Sequence, residues 1–354
     1  MELLTPREAA HRLDFPFTVT ARAENLIRGN RGRALLTRKG RVVAVAAGLT
    51  GGFKTFFEGL GGTVTDLKGA LRWLDVNATG KWLDGPDHQW RYNRDYGSAV
   101  MYEPGKILFV GGGGNPVLPS PHDSTTSVPT NTAEIIDLTQ PAPQWRFTGS
   151  MQFPRRHLNA TILPDGQVLV AGGTQGGGFD DVSDANAAHA AEVWDPGTGQ
   201  WTTLASNTVT RSYHSVSVLL PDGRIVHAAS GDADVGGTPA PAQRNSELFS
   251  PPYLFKGARP IISSAPSGVA YGERFMVETP NSAQITKVTW VRLGSVTHSF
   301  DQNQRFNTLA FGATRGGLIV TAPTNPNLAP PGHYALFVLN RNGVPSVGKI
   351  IRIQ

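Results

Sequence analysis

A short motif recurs along this chain and constrains its fold more than any other feature of the sequence. The motif is an apolar run, a tight turn closed by glycine, a second apolar run and a cluster of small residues. Its copies read "LTRKGRVVAVAAG", "YEPGKILFVGGGG", "ILPDGQVLVAGG" and "LLPDGRIVHAASG". The turn glycines are Gly40, Gly105, Gly166 and Gly223, at successive spacings of 65, 61 and 57 residues. Each copy is typical of a β-hairpin, so the sequence predicts four related hairpins.

A second strand signal follows each hairpin. Three of these segments end in tryptophan, namely "LRWLDVNATGKW", "AEIIDLTQPAPQW" and "AEVWDPGTGQW", whereas "SELFSPPYLF" keeps the strand without the tryptophan. Two hairpins per unit make a four-stranded sheet, and repeats of this length are typical of kelch-type β-propeller blades. Small residues after the second strand would let inner strands crowd around a central channel. We therefore predict an incomplete or small propeller of about four blades, the first of them degenerate.

The pattern changes after Arg259. Short alternating segments follow, separated by turn signals: "RFMVETP", "KVTWVRLG", "GLIVTAP", "HYALFVLN" and "KIIRI". Such segments predict an immunoglobulin-like β-sandwich. The expected organisation is all-β, with an N-terminal region that carries the degenerate blade at 1–75, propeller blades at 76–258 and the sandwich at 259–354.

Composition narrows the function classes. The 354 residues carry a formal charge of +5 without a basic run, so we expect no nucleic-acid partner. We expect no membrane span, because 18 consecutive apolar residues occur nowhere, and no signal peptide, because the first residues lack an apolar segment. The chain has no cysteine, which excludes disulfides and thiolate sites. The run "GGGGNP" lacks the Gly-Lys-Ser/Thr ending of a phosphate loop and is interpreted as a strand-end turn.

Three side chains form a candidate metal site. Tyr213 and His214 open a predicted inner strand, and His298 lies in "GSVTHSFDQNQR" of the sandwich, in a loop that could reach the channel. One phenol and two imidazoles suit a copper ion in tetragonal geometry. The alternative is two aromatic residues that merely begin a strand. Neighbours on a strand point to opposite faces, so Tyr213 and His214 can both face the channel only if a bend or bulge re-aims one of them.

The region from about Val76 to Gln354 resembles the galactose oxidase and glyoxal oxidase family, the copper-radical oxidases. The segments that carry the resemblance follow the family's order. They are "RDYGSAVMYEPGKILFVGGG", "FPRRHLNATILPDGQVLVAGG", "RSYHSVSVLLPDGRI", "SELFSPPYLFKGARP", "SVTHSFDQNQR" and "LAPPGHYALFVLNRNGVPSVGKIIRI". They cover the family's last blades and its C-terminal early-set, immunoglobulin-like domain.

The resemblance implies a copper site and an activity. Its Tyr-His pair implies copper ligands at Tyr213, also a catalytic residue, and at His214, with the phenol axial. Its Ser-x-Thr-His motif implies a third ligand, His298. The family oxidises aldehydes or primary alcohols with O₂ and releases H₂O₂. The implied partners are a small aldehyde, an alcohol or a carbohydrate. Relatives are usually secreted, but the localisation of this chain stays open.

One departure from the family concerns the radical cofactor. In the family a second tyrosine, bonded to a cysteine, supplies one of the two electrons. Without cysteine this Cys-Tyr cofactor cannot form here. Tyr96 lies in a matched segment that provides no ligand, and His157 opens the equivalent strand of the preceding blade at a position the family does not use. We therefore expect an impaired oxidase. The alternative is a non-catalytic propeller and sandwich module that binds carbohydrate or protein.

A second departure concerns the number of blades. The family propeller has seven, so about four blades imply either a truncated or rearranged N-terminus or a small propeller that closes on itself.

Overall fold

The computed structural model describes residues 32–36, 42–46, 70–75, 81–90, 94, 96–114, 128–177, 181–231, 242–301 and 303–354. Within these residues the protein is all-β: 27 strands and three short 3-10 helices at Asp184–Asn186, Pro252–Phe255 and Ser282–Gln284. No helix in this part of the chain has both the length and the apolar character needed to cross a bilayer. The degenerate repeat copy forms a four-stranded antiparallel sheet whose strands follow one another in the order of the chain. Its fourth strand lies beyond residue 75, where the sequence analysis ended the N-terminal region. Its strands are β1 (Gly32–Leu36), β2 (Val42–Ala46), β3 (Ala70–Asp75) and β4 (Lys81–Asp87).

The other three repeat copies form one sheet each. The second sheet, with its small side ribbon β7–β8, contains β5 (Ser98–Glu103), β6 (Lys106–Val110), β7 (Gly113–Gly114), β8 (Val128–Pro129), β9 (Ala133–Asp137) and β10 (Arg146–Phe147). The third sheet contains β11 (Asn159–Ile162), β12 (Val168–Ala171), β13 (Ala190–Trp194) and β14 (Trp201–Ser206). The described part of the fourth sheet contains β15 (Val216–Leu219), β16 (Ile225–Ala228) and β17 (Ser246–Phe249).

The predicted hairpin turns are present in these three sheets. Gly105, Gly166 and Gly223 have φ angles of 83°, 97° and 80°, which glycine adopts without steric cost. They join β5 to β6, β11 to β12 and β15 to β16 in antiparallel pairs. Gly40 lies outside the described residues.

Glycines after the second strand of each hairpin allow neighbouring sheets to approach closely. A Cβ added at Gly111 would lie 2.8 Å from the carbonyl oxygen of Arg155, and one at Gly172 would collide with the carbonyl oxygen of Arg211, in each case a residue of the next sheet along the chain. Gly112 N–H donates to the carbonyl of Arg155 at 2.7 Å, so the second and third sheets are joined at this point. Gly111 and Gly112, the first two glycines of the glycine-rich run, directly follow β6 and contribute to this contact between sheets.

An ion pair formed by a buried arginine repeats in the three sheets. An arginine ahead of the first strand binds a glutamate on the third strand, at N–O distances of 2.6, 2.6 and 3.2 Å. The pairs are Arg94–Glu134, Arg155–Glu192 and Arg211–Glu247. Each arginine also donates to backbone carbonyls of its own sheet, which satisfies its remaining N–H groups. The ion pair thus fixes the segment that leads into each first strand.

The C-terminal region is a two-layer sandwich. Its five-stranded sheet has the order β18-β27-β26-β20-β23 and packs against β19-β25-β24, with β21 and β22 as a separate hairpin. The strands are β18 (Gly268–Val269), β19 (Arg274–Glu278), β20 (Ile285–Arg292), β21 (Val296–Thr297), β22 (Phe300–Asp301), β23 (Phe306–Thr308), β24 (Phe311–Thr314), β25 (Gly317–Thr321), β26 (Gly332–Asn340) and β27 (Lys349–Ile353). Trp290 and Tyr334, both fully buried, pack at the centre of its core.

Candidate metal site

Tyr213 and His214 lie in the turn that leads into β15. The predicted strand begins only at Val216, and His214 has a φ of 61°, in the left-handed region. This backbone bend allows adjacent side chains to leave the alternation of a strand, which was the condition set by the sequence. The two rings stack with centroids 3.8 Å apart and an interplanar angle of 27°. Tyr213 is 7% exposed and His214 is half-buried.

The Tyr213 turn is held on both sides by hydrogen bonds. Before it, the Arg211 guanidinium donates to the carbonyls of Ala229 and Asn245 at 3.1 and 3.0 Å. Within it, the carbonyl of Tyr213 accepts from Gly231 N–H at 2.8 Å. The position of the phenol therefore depends on the buried arginine of its own sheet.

His298 lies at the tip of the hairpin formed by β21 and β22. Thr297 pairs with Phe300, so His298 and Ser299 are the two central residues of the turn. Their φ angles are 50° and 65°, the signature of a type I′ turn, which Asn-Gly usually occupies. Two bulky or polar residues in the left-handed region cost conformational energy and occur preferentially at functional sites. The hairpin packs against β5, β11 and β15, the first strands of three sheets.

The hairpin is fixed to the propeller-like sheets by side-chain hydrogen bonds. The Ser98 hydroxyl at the start of β5 donates to the carbonyl of Ser299 at 2.7 Å. The Gln304 amide donates to the carbonyl of Ala160 at 2.8 Å and accepts from Ile162 N–H at 2.5 Å. The residues joined by these three hydrogen bonds are all buried, so the bonds fix the position of the sandwich hairpin relative to the sheets.

Two further groups orient the hairpin from within. The buried Asp301 carboxylate accepts backbone N–H bonds from Ser295 and Asn303 at 2.8 and 3.0 Å. Burial raises the pKa of Asp301, and these hydrogen bonds partly offset that effect. The Thr297 hydroxyl lies 2.7 Å from His298 Nδ1, which leaves Nε2 as the outward ring nitrogen.

The three side chains predicted from the sequence converge. The Nε2 atoms of His214 and His298 lie 3.2 Å apart, and the two rings are nearly perpendicular at 87°. The Tyr213 ring centroid lies 5.9 Å from that of His298. Across the residues that the structure describes, no group of three His, Cys, Asp or Glu side chains is placed to hold a metal. The third protein donor predicted from the sequence is the Tyr213 phenol, whose ring stacks on His214.

Two rings to which the sequence analysis gave no role also lie at the site. Tyr96 and His157 are 1% and 0% exposed, and their ring centroids lie 5.5 and 5.1 Å from that of Tyr213. A sequence signal for both existed, because Tyr96, His157 and Tyr213 each follow the buried arginine of their sheet by two residues. That offset is not part of the glycine and tryptophan periodicity of the repeat.

A cavity of about 380 Å³ opens beside the Tyr213 turn. Its wall includes Val182, which belongs to the same buried cluster as Tyr96 and Tyr213. Its other lining residues are mostly polar: Ser183, Asp184, Thr208, Val209, Thr210, Ser230, Gly231 and Gln243. Asp184 accepts a hydrogen bond of 2.6 Å from the Thr210 hydroxyl, and this bond lowers the pKa of Asp184.

Two family models match this chain. The model "Glyoxal oxidase N-terminus" matches residues 93–253, and "Galactose oxidase-like, Early set domain" matches residues 259–353. The first match contains Tyr213 and His214, and the second contains His298. The structure is similar to that of a fungal alcohol oxidase in complex with copper, with a TM-score of 0.73 and 23% identity. That match covers 91% of this chain and 75% of the other, and it supports the fold.

Two named oxidases are similar in sequence to this chain. Galactose oxidase of Gibberella zeae is 32% identical over 73% of this chain, and aldehyde oxidase GLOX of Vitis pseudoreticulata is 35% identical over 62%. This chain spans 37% of the first protein and 45% of the second, less than half of each. Over the two matched regions, the chain belongs to the galactose oxidase and glyoxal oxidase family.

Proposed function

We propose that Tyr213, His214 and His298 bind one copper ion, and that the chain is an oxidoreductase of the copper-radical oxidase type with impaired turnover. The reaction would be oxidation of an aldehyde or primary alcohol with O₂ to give H₂O₂. The observation that carries the proposal is the 3.2 Å separation of the two Nε2 atoms beside the stacked phenol.

The geometry of the two imidazoles suits a single ion. Two nitrogens bound at about 2.0 to 2.1 Å and at a right angle to each other lie about 2.9 Å apart. At 3.2 Å apart, the Nε2 atoms of His214 and His298 are close enough that both could hold one ion. Imidazole nitrogens with one oxygen donor suit Cu(II) in tetragonal geometry, in agreement with the donor set predicted from the sequence. His298 is exposed, so the ion has a route from solvent.

The residues would have separate roles in metal binding and in proton transfer. When bound, Cu(II) supplies a one-electron acceptor and a Lewis acid for the substrate oxygen. The two histidines hold the ion, and the Thr297 hydroxyl at Nδ1 fixes the orientation of the His298 ring. The Oη atom of Tyr213, once deprotonated, would accept the proton of a substrate hydroxyl. The polar cavity beside Tyr213 would receive the rest of a small alcohol, aldehyde or carbohydrate.

The proposed impairment follows from the number of electrons that the reaction transfers. Oxidation of an alcohol to an aldehyde removes two electrons, and a single copper ion accepts one. The 354 residues contain no cysteine for the family's Cys-Tyr cofactor, so the second acceptor is missing from this chain. We therefore expect copper binding with little peroxide production.

The test is a copper titration followed by a peroxide assay. The purified chain should bind one Cu(II) per molecule and should release little or no H₂O₂ with glyoxal or galactose. Replacement of His298 by Ala should abolish tight binding, whereas replacement of the surface residue His333 by Ala should not. Failure of the wild-type protein to bind copper would remove the oxidase-type proposal, and rapid peroxide release would remove the impairment.

A second candidate function, supported by the polar cavity, is metal-independent binding of carbohydrate. Hydroxyl, carboxylate and amide groups line this cavity, and such groups recognise sugar hydroxyls. Titration of the metal-free protein with galactose and with a panel of oligosaccharides tests this candidate. Binding that is lost in Asp184→Asn and unaffected by copper would favour it, and absence of binding would exclude it.

A further inference from the structure

The Tyr213 phenol is surrounded by more aromatic surface than a three-ligand site requires. Its ring stacks on His214 and makes T-shaped contacts with Tyr96, at an interplanar angle of 81°, and with His157, at 67°. Tyr96 and His157 also contact each other, with ring centroids 4.2 Å apart. The phenol is thus confined by three rings contributed by three successive sheets.

Both additional rings are presented by unusual backbone. Tyr96 has a φ of 51° and His157 has a φ of 61°. A non-glycine residue in this region is conformationally strained, and such strain is retained where the surroundings fix the residue. His157 N–H donates to the carbonyl of Tyr96 at 3.0 Å, so the two strained residues hold each other.

The rigid frame behind the rings comes from the repeated ion pairs. Arg94 precedes Tyr96 and binds Glu134 at 2.6 Å, and Arg155 precedes His157 and binds Glu192 at 2.6 Å. These four side chains are at most 1% exposed. Tyr96 and His157 therefore each lie two residues beyond an arginine that a buried ion pair holds in place, and can limit the motion of a neighbouring ring.

We propose that Tyr96 is a positioning residue, whose ring, together with His157, holds the Tyr213 phenol on His214 in the orientation needed to bind copper. This inference rests on the proposed copper site for its functional meaning. The ring surface of Tyr96 should matter, whereas its hydroxyl should not. Changes to groups that orient a metal ligand typically weaken metal binding by about 10- to 100-fold.

The variants that separate ring from hydroxyl are Tyr96→Phe and Tyr96→Leu. The matched control is Tyr102→Leu, because Tyr102 is a buried tyrosine of the adjoining strand β5 whose ring contacts Trp194 instead of the site. We expect Cu(II) affinity within about twofold of wild type for Tyr96→Phe and for Tyr102→Leu, and about tenfold weaker for Tyr96→Leu. The phenolate-to-Cu(II) absorption band and the EPR hyperfine splitting should change only in Tyr96→Leu.

A metal-free measurement tests the same positioning independently. The Tyr213 ring that stacks on His214 should shift the imidazole proton resonances of His214 through its ring current, in NMR spectra of protein labelled at histidine. That shift should persist in Tyr96→Phe and Tyr102→Leu and should shrink by at least half in Tyr96→Leu. Unchanged His214 resonances and an unchanged copper spectrum in folded Tyr96→Leu would overturn the inference. Wild-type protein that shows the ring-current shift but binds no copper would overturn the proposed function alone.

Discussion

Two turns of equal length lead into the neighbouring strands β11 and β15, and they present different side chains. Both begin at a buried arginine, Arg155 or Arg211, and both end four residues later, at Asn159 and Ser215, whose side chains bond each other at 2.9 Å. The left-handed residue is the third in the first turn, His157, and the fourth in the second, His214. A shift of the bend by one residue therefore decides which side chain enters the core.

The consequence is visible at the fourth position. Leu158 is fully buried and packs in the core between the sheets. The equivalent residue of the next sheet is His214, which is half-buried and faces His298 across 3.2 Å. One repeated framework thus supplies a packing residue in one sheet and a candidate metal ligand in the next.

The ion pairs of the third and fourth sheets also differ in their exposure to solvent. The side chains of Arg155 and Glu192 are both inaccessible to solvent, whereas Glu247, the partner of Arg211, is 26% exposed and its contact is longer. Glu247 also accepts hydrogen bonds from Thr208. The ion pair of the sheet that carries Tyr213 and His214 is therefore more exposed to solvent than the ion pair of the sheet beside it.

The largest expected effect contrasts these two ion pairs. Glu192→Gln leaves the Arg155 guanidinium buried without a counter-charge and should lower the free energy of unfolding by about 3 to 5 kcal/mol. Glu247→Gln should cost about 1 kcal/mol, because solvent reaches its site. Urea denaturation of both variants measures the difference. Equal losses would contradict the contrast in burial between the sheets.

The second prediction concerns the corresponding pair of the second sheet. Burial alone would raise the pKa of Glu134, but the nearby His88 ring and the charge and hydrogen bonds of Arg94 outweigh it and hold the pKa at about 2. The unfolded chain binds a proton at Glu134 near pH 4.5, before the folded chain does, so the pair stabilises the fold above pH 4.5 and loses that contribution as the pH falls to about 2. The loss should amount to about 3 kcal/mol.

The effect of pH on the free energy of unfolding is measured by comparison of a double variant with the wild type. The double variant Arg94→Met with Glu134→Leu removes both charges while it retains apolar volume, which buried ion pairs often tolerate. Urea denaturation between pH 2 and pH 5 should show a weaker pH dependence in the double variant than in the wild type. Parallel pH profiles would show that other carboxylates determine acid stability.

Much of this architecture could be predicted from the sequence, because the hairpins are encoded locally. The turn glycines at 105, 166 and 223 require positive φ wherever they occur, and apolar runs on either side define the strands. The candidate ligands followed from their positions at a strand start and in a sandwich loop, and from the family resemblance, and their rings lie together in the structure. The left-handed backbone at His214 and His298 could not be predicted, since a non-glycine residue adopts it only when tertiary contacts compensate.

The roles of the repeated arginine and its glutamate were missed for a different reason. Arg211 and Glu247 are 36 residues apart, and charged residues in a sequence suggest solvent exposure rather than a buried pair. Only the recurrence of arginine ahead of each hairpin and glutamate on each third strand carries the information. That recurrence also locates Tyr96 and His157, two residues beyond their arginines.

The third prediction concerns a substitution that makes the turn before β15 resemble the turn before β11. His214→Leu places in the last turn the residue that the preceding turn has at Leu158. Because one of two imidazole donors is lost, Cu(II) affinity should fall by roughly 100-fold or more, beyond the effect of changes around a ligand. His189→Leu, at a partly exposed histidine bonded to Asp184, is the control and should retain wild-type affinity. Copper affinity that survives His214→Leu would show that the shifted bend does not create a metal site.

The smallest expected effect concerns the bond that brings the sandwich hairpin to the two turns. Ser98→Ala removes the 2.7 Å hydrogen bond to the carbonyl of Ser299 and should cost about 1 kcal/mol in unfolding free energy. Because Ser299 follows His298, its release should also weaken Cu(II) binding by about threefold. Ser217→Ala removes a bond of similar length to Thr161, between β11 and β15, and should cost similar stability without a change in copper affinity. Equal copper affinities in the two variants would mean that the hairpin keeps its position without Ser98, and that the left-handed turn at His298 alone determines where its imidazole lies.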